Sequence, residues 1–105
     1  MESQDAFLRA ILATVARQTF SPSRIVEIIG ATAGEKQHRA FNLCDGSRGQ
    51  GDIAKELGLD PSNFSKSLNR WIDEGIVIRV GEKREARPLH VYPLPEAFIK
   101  KGVKK

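Results

Sequence analysis

Between positions 61 and 74, Ser62, Asn63, Ser65, Lys66 and Asn69 fall on one side of a helical repeat, with Arg70 at its margin. These are hydroxyls, amides and cations. Side chains of that kind on one helix face match the edges of base pairs and the phosphates between them. By type, Lys66 suits the acceptors of guanine, and Asn63 or Asn69 an adenine edge. Ser62, near the helix start, and Arg70 suit phosphate, aided by the helix N-terminus. A second group, Lys83, Arg84 and Arg87, is gathered in a polar tip from Gly81 to Arg87. Arginine in such a loop reaches the backbone or a narrow minor groove, although Glu82 and Glu85 dilute the patch. An ordinary solvated helix face and a charged loop would carry the same residue types.

The elements around these residues are legible from spacing and punctuation. Ser3 to Gln18 places Phe7, Leu8, Ile11, Leu12 and Val15 three and four apart, an apolar stripe with Arg9 and Arg17 off it. Ser21 and Pro22 read as a cap and first turn of a short helix with Ile25, Ile28 and Ile29 on one face, stopping at Gly30. Thr32 and Glu35 have capping-box spacing, which predicts a third helix from Ala33 to about Asp45-Gly46, with Ala40, Phe41 and Cys44 inward. A turn follows over 46–49, with room for a residue or two of strand. A helix from Gln50 to Leu57 buries Ile53, Ala54 and Leu57. Gly58 and Leu59 make a tight turn, Asp60 caps the next helix and Pro61 opens it. That helix, 61–74, turns Phe64, Leu68 and Trp71 inward and stops at Gly75. Ile76 to Val80 is rich in β-branched residues and reads as a strand. Leu89 to Leu94 returns as its partner, so that 76–94 forms a hairpin. Pro95 to Lys101 is expected to add a last short helix.

Composition narrows the function classes. A chain of 105 residues fits one domain. With 29% charged and 40% hydrophobic residues it has the balance of a folded globular chain rather than a disordered one. No apolar run reaches membrane-spanning length and no secretory signal pattern is visible. Cys44 is the single cysteine, which points to a reducing, cytoplasmic setting. The net charge is +4, but four of the 17 basic side chains are Lys100, Lys101, Lys104 and Lys105, which leaves 13 basic against 13 acidic over residues 1–99. A nucleic-acid reading therefore rests on clustering rather than on overall charge. No nucleophile–base pair, phosphate loop or paired-carboxylate motif appears, so no catalytic residue is assigned and the chain is not read as an enzyme. Cys44, His38 and His90 match no metal-ligand spacing, and neither metal nor cofactor is expected.

The run from Ile53 to Arg79 is similar to the winged helix-turn-helix of bacterial and archaeal transcription regulators of the MarR-like and ArsR-like group. Ile53-Ala54, Gly58, Phe64-Ser65, Leu68, Trp71 and Gly75-Ile76-Val77 stand in the places of that pattern, and Arg87-Pro88 followed by Tyr92 and Leu94 resembles the return of its wing. The resemblance covers Lys36 to Leu94. The wing departs from the MarR pattern in lacking an aspartate-x-arginine motif, and Ile72 stands where the family usually carries charge.

The reading that follows is mainly α with a small β-hairpin wing: a winged helix-turn-helix with extra N-terminal helices. Residues 1–33 form an N-terminal helical extension, 34–95 the DNA-binding domain and 96–105 a basic tail. The expected function is sequence-dependent binding of double-stranded DNA by a transcription regulator, with helix 61–74 in the major groove. A homodimer would join through Phe7, Leu8, Ile11, Leu12 and Val15, unless that stripe packs on its own domain. A winged-helix module that docks protein is the alternative, and an RNA or single-strand binder is a third possibility that would want exposed aromatics.

Overall fold

Helix caps fix where the chain turns. In a computed structural model, which describes residues 3–30, 34–81 and 86–99, five helices precede a hairpin: α1 Ser3–Thr19, α2 Pro22–Ile29, α3 Glu35–Leu43, α4 Gln50–Leu57 and α5 Pro61–Glu74. Strands β1 Val77–Val80 and β2 Arg87–His90 follow, then a 3-10 turn, Glu96–Phe98. The fold is mainly helical with a small antiparallel β-wing, a winged helix-turn-helix with added N-terminal helices.

Ser21 caps α2 by accepting from Arg24 N, and Asp60 caps α5 by accepting from Asn63 N; each is followed by proline in the first turn. Such a cap stabilises a helix by about 1 kcal/mol. Between α4 and α5, Gly58 takes a left-handed φ of 67°. Its N–H donates to Lys55 O, and Leu59 N–H donates to Ala54 O at 2.8 Å. This pair of bonds closes a helix and redirects the chain within two residues. Gly75 repeats the device at the end of α5, where Ile76 N–H returns to Trp71 O.

One core joins these parts. Trp71 lies at its centre, with the rings of Phe41 and Phe64 edge-on at 5.8 and 6.0 Å. Ile25, Ile53, Leu68, Ile76 and Val77 are fully buried around it. The apolar faces expected for α2, α4 and α5 are therefore the faces that pack, with Leu57 only partly buried.

Four expectations are corrected. First, α3 starts at Glu35, capped by the Gly34 backbone without a side-chain bond, and ends at Leu43; the proposed cap Thr32 and start Ala33 lie outside the described residues. Second, the wing strands are shorter than expected. Ile76 N–H is spent on closing α5, so β1 begins at Val77. β2 runs from Arg87 to His90 rather than from Leu89 to Leu94. Beyond Val91, whose N–H reaches Ile76 O, pairing passes to a side chain: Asn42 accepts from Leu94 N and donates to Leu94 O, at 2.7 and 3.0 Å. Third, the expected strand residues near 46 reduce to one bridge, Asp45 opposite Leu89. Gly46 N–H donates to Pro88 O, but proline has no N–H to return, and the ladder stops there. Fourth, the closing helix is the single 3-10 turn Glu96–Phe98, with Lys100 and Lys101 outside the described residues.

The N-terminal helix meets the domain on a row beside the stripe read from its sequence. Ala16 is buried, with Leu12, Ala13 and Phe20 partly so. Arg9 and Arg17, which fall off that stripe, are groups that fasten the helix. Arg9 Nη2 donates to Asp45 O, and the Arg17 guanidinium sits 4.8 Å from the centroid of the Tyr92 ring. Tyr92 Oη donates to Phe20 O.

Candidate nucleic-acid interface

The outer side of α5 is set by what its inner side buries. Phe64, Leu68 and Trp71 are held in the core, so Ser62, Lys66, Asn69 and Asp73, spaced four, three and four apart, lie on the opposite side. All four are exposed. Asn63 is exposed on one flank, and Ser65 is half-buried on the other. The side chains expected to meet base edges therefore share an uncovered surface concentrated in the first half of the helix. Asp73 makes the far end of that surface acidic.

Arg70 is placed differently from the rest. Its Nη2 donates to Ile29 O at 2.6 Å, at the C-terminal end of α2. There the guanidinium meets carbonyls with no partner in their own helix and the negative end of the helix dipole. It ties α5 to α2, a packing role that residue type and spacing alone did not disclose.

Arg87 opens β2 opposite Val80 and is exposed, with Nη1 donating to Ser47 O at 2.8 Å. It stands at the loop end of the paired strands. Lys83 and Arg84 lie outside the described residues.

The sequence reading passed over Arg79. On β1 it lies two residues from the buried Val77, so it shares the strand face turned toward α5. Its Nη1 donates to Gln50 Oε1 at 3.3 Å and its Nη2 to Asn69 Oδ1 at 3.4 Å. An arginine inside an otherwise apolar strand beside the helix-turn-helix was the available signal.

Behind this surface the ionisable groups are quiet. Burial pushes the Cys44 thiol up to about 12, helped by the Asp45 charge, and its Sγ donates to Ala40 O. A thiol held neutral is a poor nucleophile and a poor metal ligand. Burial lowers His90 below its ordinary value, against the opposing pull of the Phe41 carbonyl and Asp45. That carbonyl lies 2.9 Å from Nδ1 and can only accept, so Nδ1 carries the proton. Burial would raise Asp45, but bonds from Ser47 N and Oγ, with Arg48 and His90 nearby, bring it net below the usual range. Among the described residues no group of three His, Cys, Asp or Glu could hold a metal ion, and no helix is long and apolar enough to cross a membrane.

Two apolar features remain on the far side. Phe7, Leu8, Ile11 and Val15 are 66, 55, 45 and 57% exposed, so most of the α1 stripe does not pack on its own domain. Between α1 and the outer face of the hairpin lies a groove of about 540 Å³, lined by Leu8, Arg9, Leu12, Ile78, Val80 and Leu89.

No protein-family model matches the chain, and no curated protein does. Among solved structures, the crystal structure of RV1404 from Mycobacterium tuberculosis is similar to it, with a TM-score of 0.47 and 20% identity over 93% of this chain and 67% of that one.

Proposed function

We propose that this chain binds double-stranded DNA in a sequence-dependent way and regulates transcription, as its resemblance to MarR-like and ArsR-like regulators implies. One observation carries the reading: the hydroxyl, amide and lysine face of α5 is uncovered by the rest of the chain, beside a hairpin that stands next to it. A helix is about 10–12 Å across with its side chains, and the major groove about 12 Å wide, so α5 enters with Ser62, Asn63, Ser65, Lys66 and Asn69 toward base edges. The hairpin then follows the backbone, with Arg87 at the loop end of its strands, and Lys83 and Arg84, which lie outside the described residues, are proposed to reach the minor groove.

The chain acts as a cytoplasmic homodimer joined through the α1 face of Phe7, Leu8, Ile11, Leu12 and Val15. One such domain reads a few base pairs. Two half-sites about 34–36 Å apart supply the affinity of a regulator. Trp71, Phe41, Phe64 and Tyr92 are buried and so offer a single strand no ring to stack on.

The exposed apolar face of α1 also supports a second reading, a winged-helix module that docks another protein. Selection from random duplex DNA followed by titration at two salt concentrations separates them. A regulator enriches a motif and binds less tightly as salt rises, with a slope of roughly −0.9 per neutralised phosphate. A chain that enriches no motif and binds no duplex is the docking module.

A further inference from the structure

We infer that Arg79 determines base specificity at this interface: by holding the side-chain oxygen of Asn69, it turns the amino group of that amide outward toward the bases, and so selects guanine rather than adenine. The inference rests on the DNA reading proposed above.

Arg79 is carried on a strand, not on the tip of a loop. β1 is paired with β2 along its whole length, Arg79 opposite Pro88, so the guanidinium starts from a fixed backbone. Neither of its two side-chain bonds goes to a carboxylate. Nη1 meets Gln50 at the start of α4, and Nη2 meets Asn69 on the outer face of α5. Among the described residues Arg79 forms no ion pair.

The chemistry of a guanidinium settles the orientation of both amides. Every polar hydrogen it carries is a donor and it has no acceptor. The amide atom facing it is therefore oxygen in both residues, and each amino group points away. Asn69 thus offers two N–H donors outward; its oxygen keeps a second lone pair, but that lone pair lies beside the guanidinium that holds the oxygen at 3.4 Å.

An amide that reads adenine needs a donor for N7 and an acceptor for the N6 amino group. Guanine presents two acceptors, N7 and O6, on the same edge. An amide that leads with its two donors, beside a cation that repels an incoming amino group, fits the second pattern. An asparagine on a recognition helix, read by type alone, points to adenine; its neighbour on β1 redirects it.

The test compares base preferences selected from random duplex DNA by the full chain and by Asn69→Ala and Arg79→Met variants. Asn69→Ala identifies the base pair that Asn69 faces, as the position whose preference it erases. At that position the wild-type chain is expected to favour guanine over adenine by about tenfold. Arg79→Met is expected to abolish that preference or move it to adenine, with preferences elsewhere and the melting temperature unchanged, since the side chain is exposed. Three results would overturn the inference while leaving the DNA reading intact: adenine preferred by the wild type at that position, no position altered by Asn69→Ala, or Arg79→Met lowering affinity uniformly while guanine stays preferred. A wild-type chain that binds no duplex overturns the DNA reading and this inference with it.

Discussion

The turn between α4 and α5 sets how α5 is presented, and Gly58 is the residue it depends on. Its φ of 67° is left-handed, and a side chain there would meet only Lys36 Nζ at 3.8 Å, the movable end of a flexible chain. Gly58→Ala therefore adds no clash. Its cost is the backbone conformation itself, about 1–2 kcal/mol for a residue with a Cβ. For a domain of this size that lowers the melting temperature by roughly 5–15 °C. Gly58→Asn should lie between, because asparagine tolerates that conformation better. Gly51 supplies the opposite control. It lies inside α4 with nothing within 4 Å of an added Cβ, so Gly51→Ala should stabilise by about 0.5–1 kcal/mol. Thermal unfolding followed by circular dichroism reads all three variants. The reasoning is refuted if Gly58→Ala melts at or above the wild type, or if Gly51→Ala melts below it.

Acid should destabilise the fold through His90. Its folded pKa is depressed below the ordinary 6.5, so the unfolded chain takes up a proton first as pH falls. Stability is full above 6.5 and is lost below it; the melting temperature should drop between pH 7.5 and 5.5, and His90→Asn should flatten that drop. A melting temperature that rises on acidification would contradict the assignment. Cys44, with its thiol raised to about 12, should resist a thiol reagent in the native protein and react at once in denaturant; rapid native labelling would mean that α3 opens easily. Phe7→Glu should convert a dimer to a monomer on gel filtration without changing the melting temperature, because Phe7 is largely exposed; an unchanged elution volume would remove the α1 face from the interface.

Much of the architecture was legible because short-range chemistry fixes it. Ser21-Pro22, Asp60-Pro61, Gly58 and Gly75 mark helix ends by local bonding, and α2 and α5 begin, and α4 and α5 end, where those residues predict. The inward faces of α2, α3, α4 and α5 followed from spacing, whereas α1 packs on a row beside its apolar stripe. What escaped depends on partners distant in the chain. β2 stops at His90 because Asn42, 52 positions from Leu94, takes over the bonding there. Arg70 turns to α2 because the carbonyls of that helix end lie within its reach, and Arg9 and Arg17 fasten α1 through Asp45 and Tyr92. At the candidate interface, Ser62, Asn63, Lys66 and Asn69 were found from the helical repeat, whereas Arg79 comes beside them only when the hairpin folds back on α5.

The central claim is that the face centred on Lys66 reads sequence. The most direct measurement is the affinity of the wild type and of Lys66→Ala for the duplex selected from random DNA and for an unrelated duplex of equal length. Lys66→Ala should weaken the selected duplex by about tenfold and leave the unrelated one nearly unchanged. Equal weakening of both would reduce Lys66 to a phosphate contact, and a wild type that binds the two duplexes alike would contradict sequence-dependent recognition.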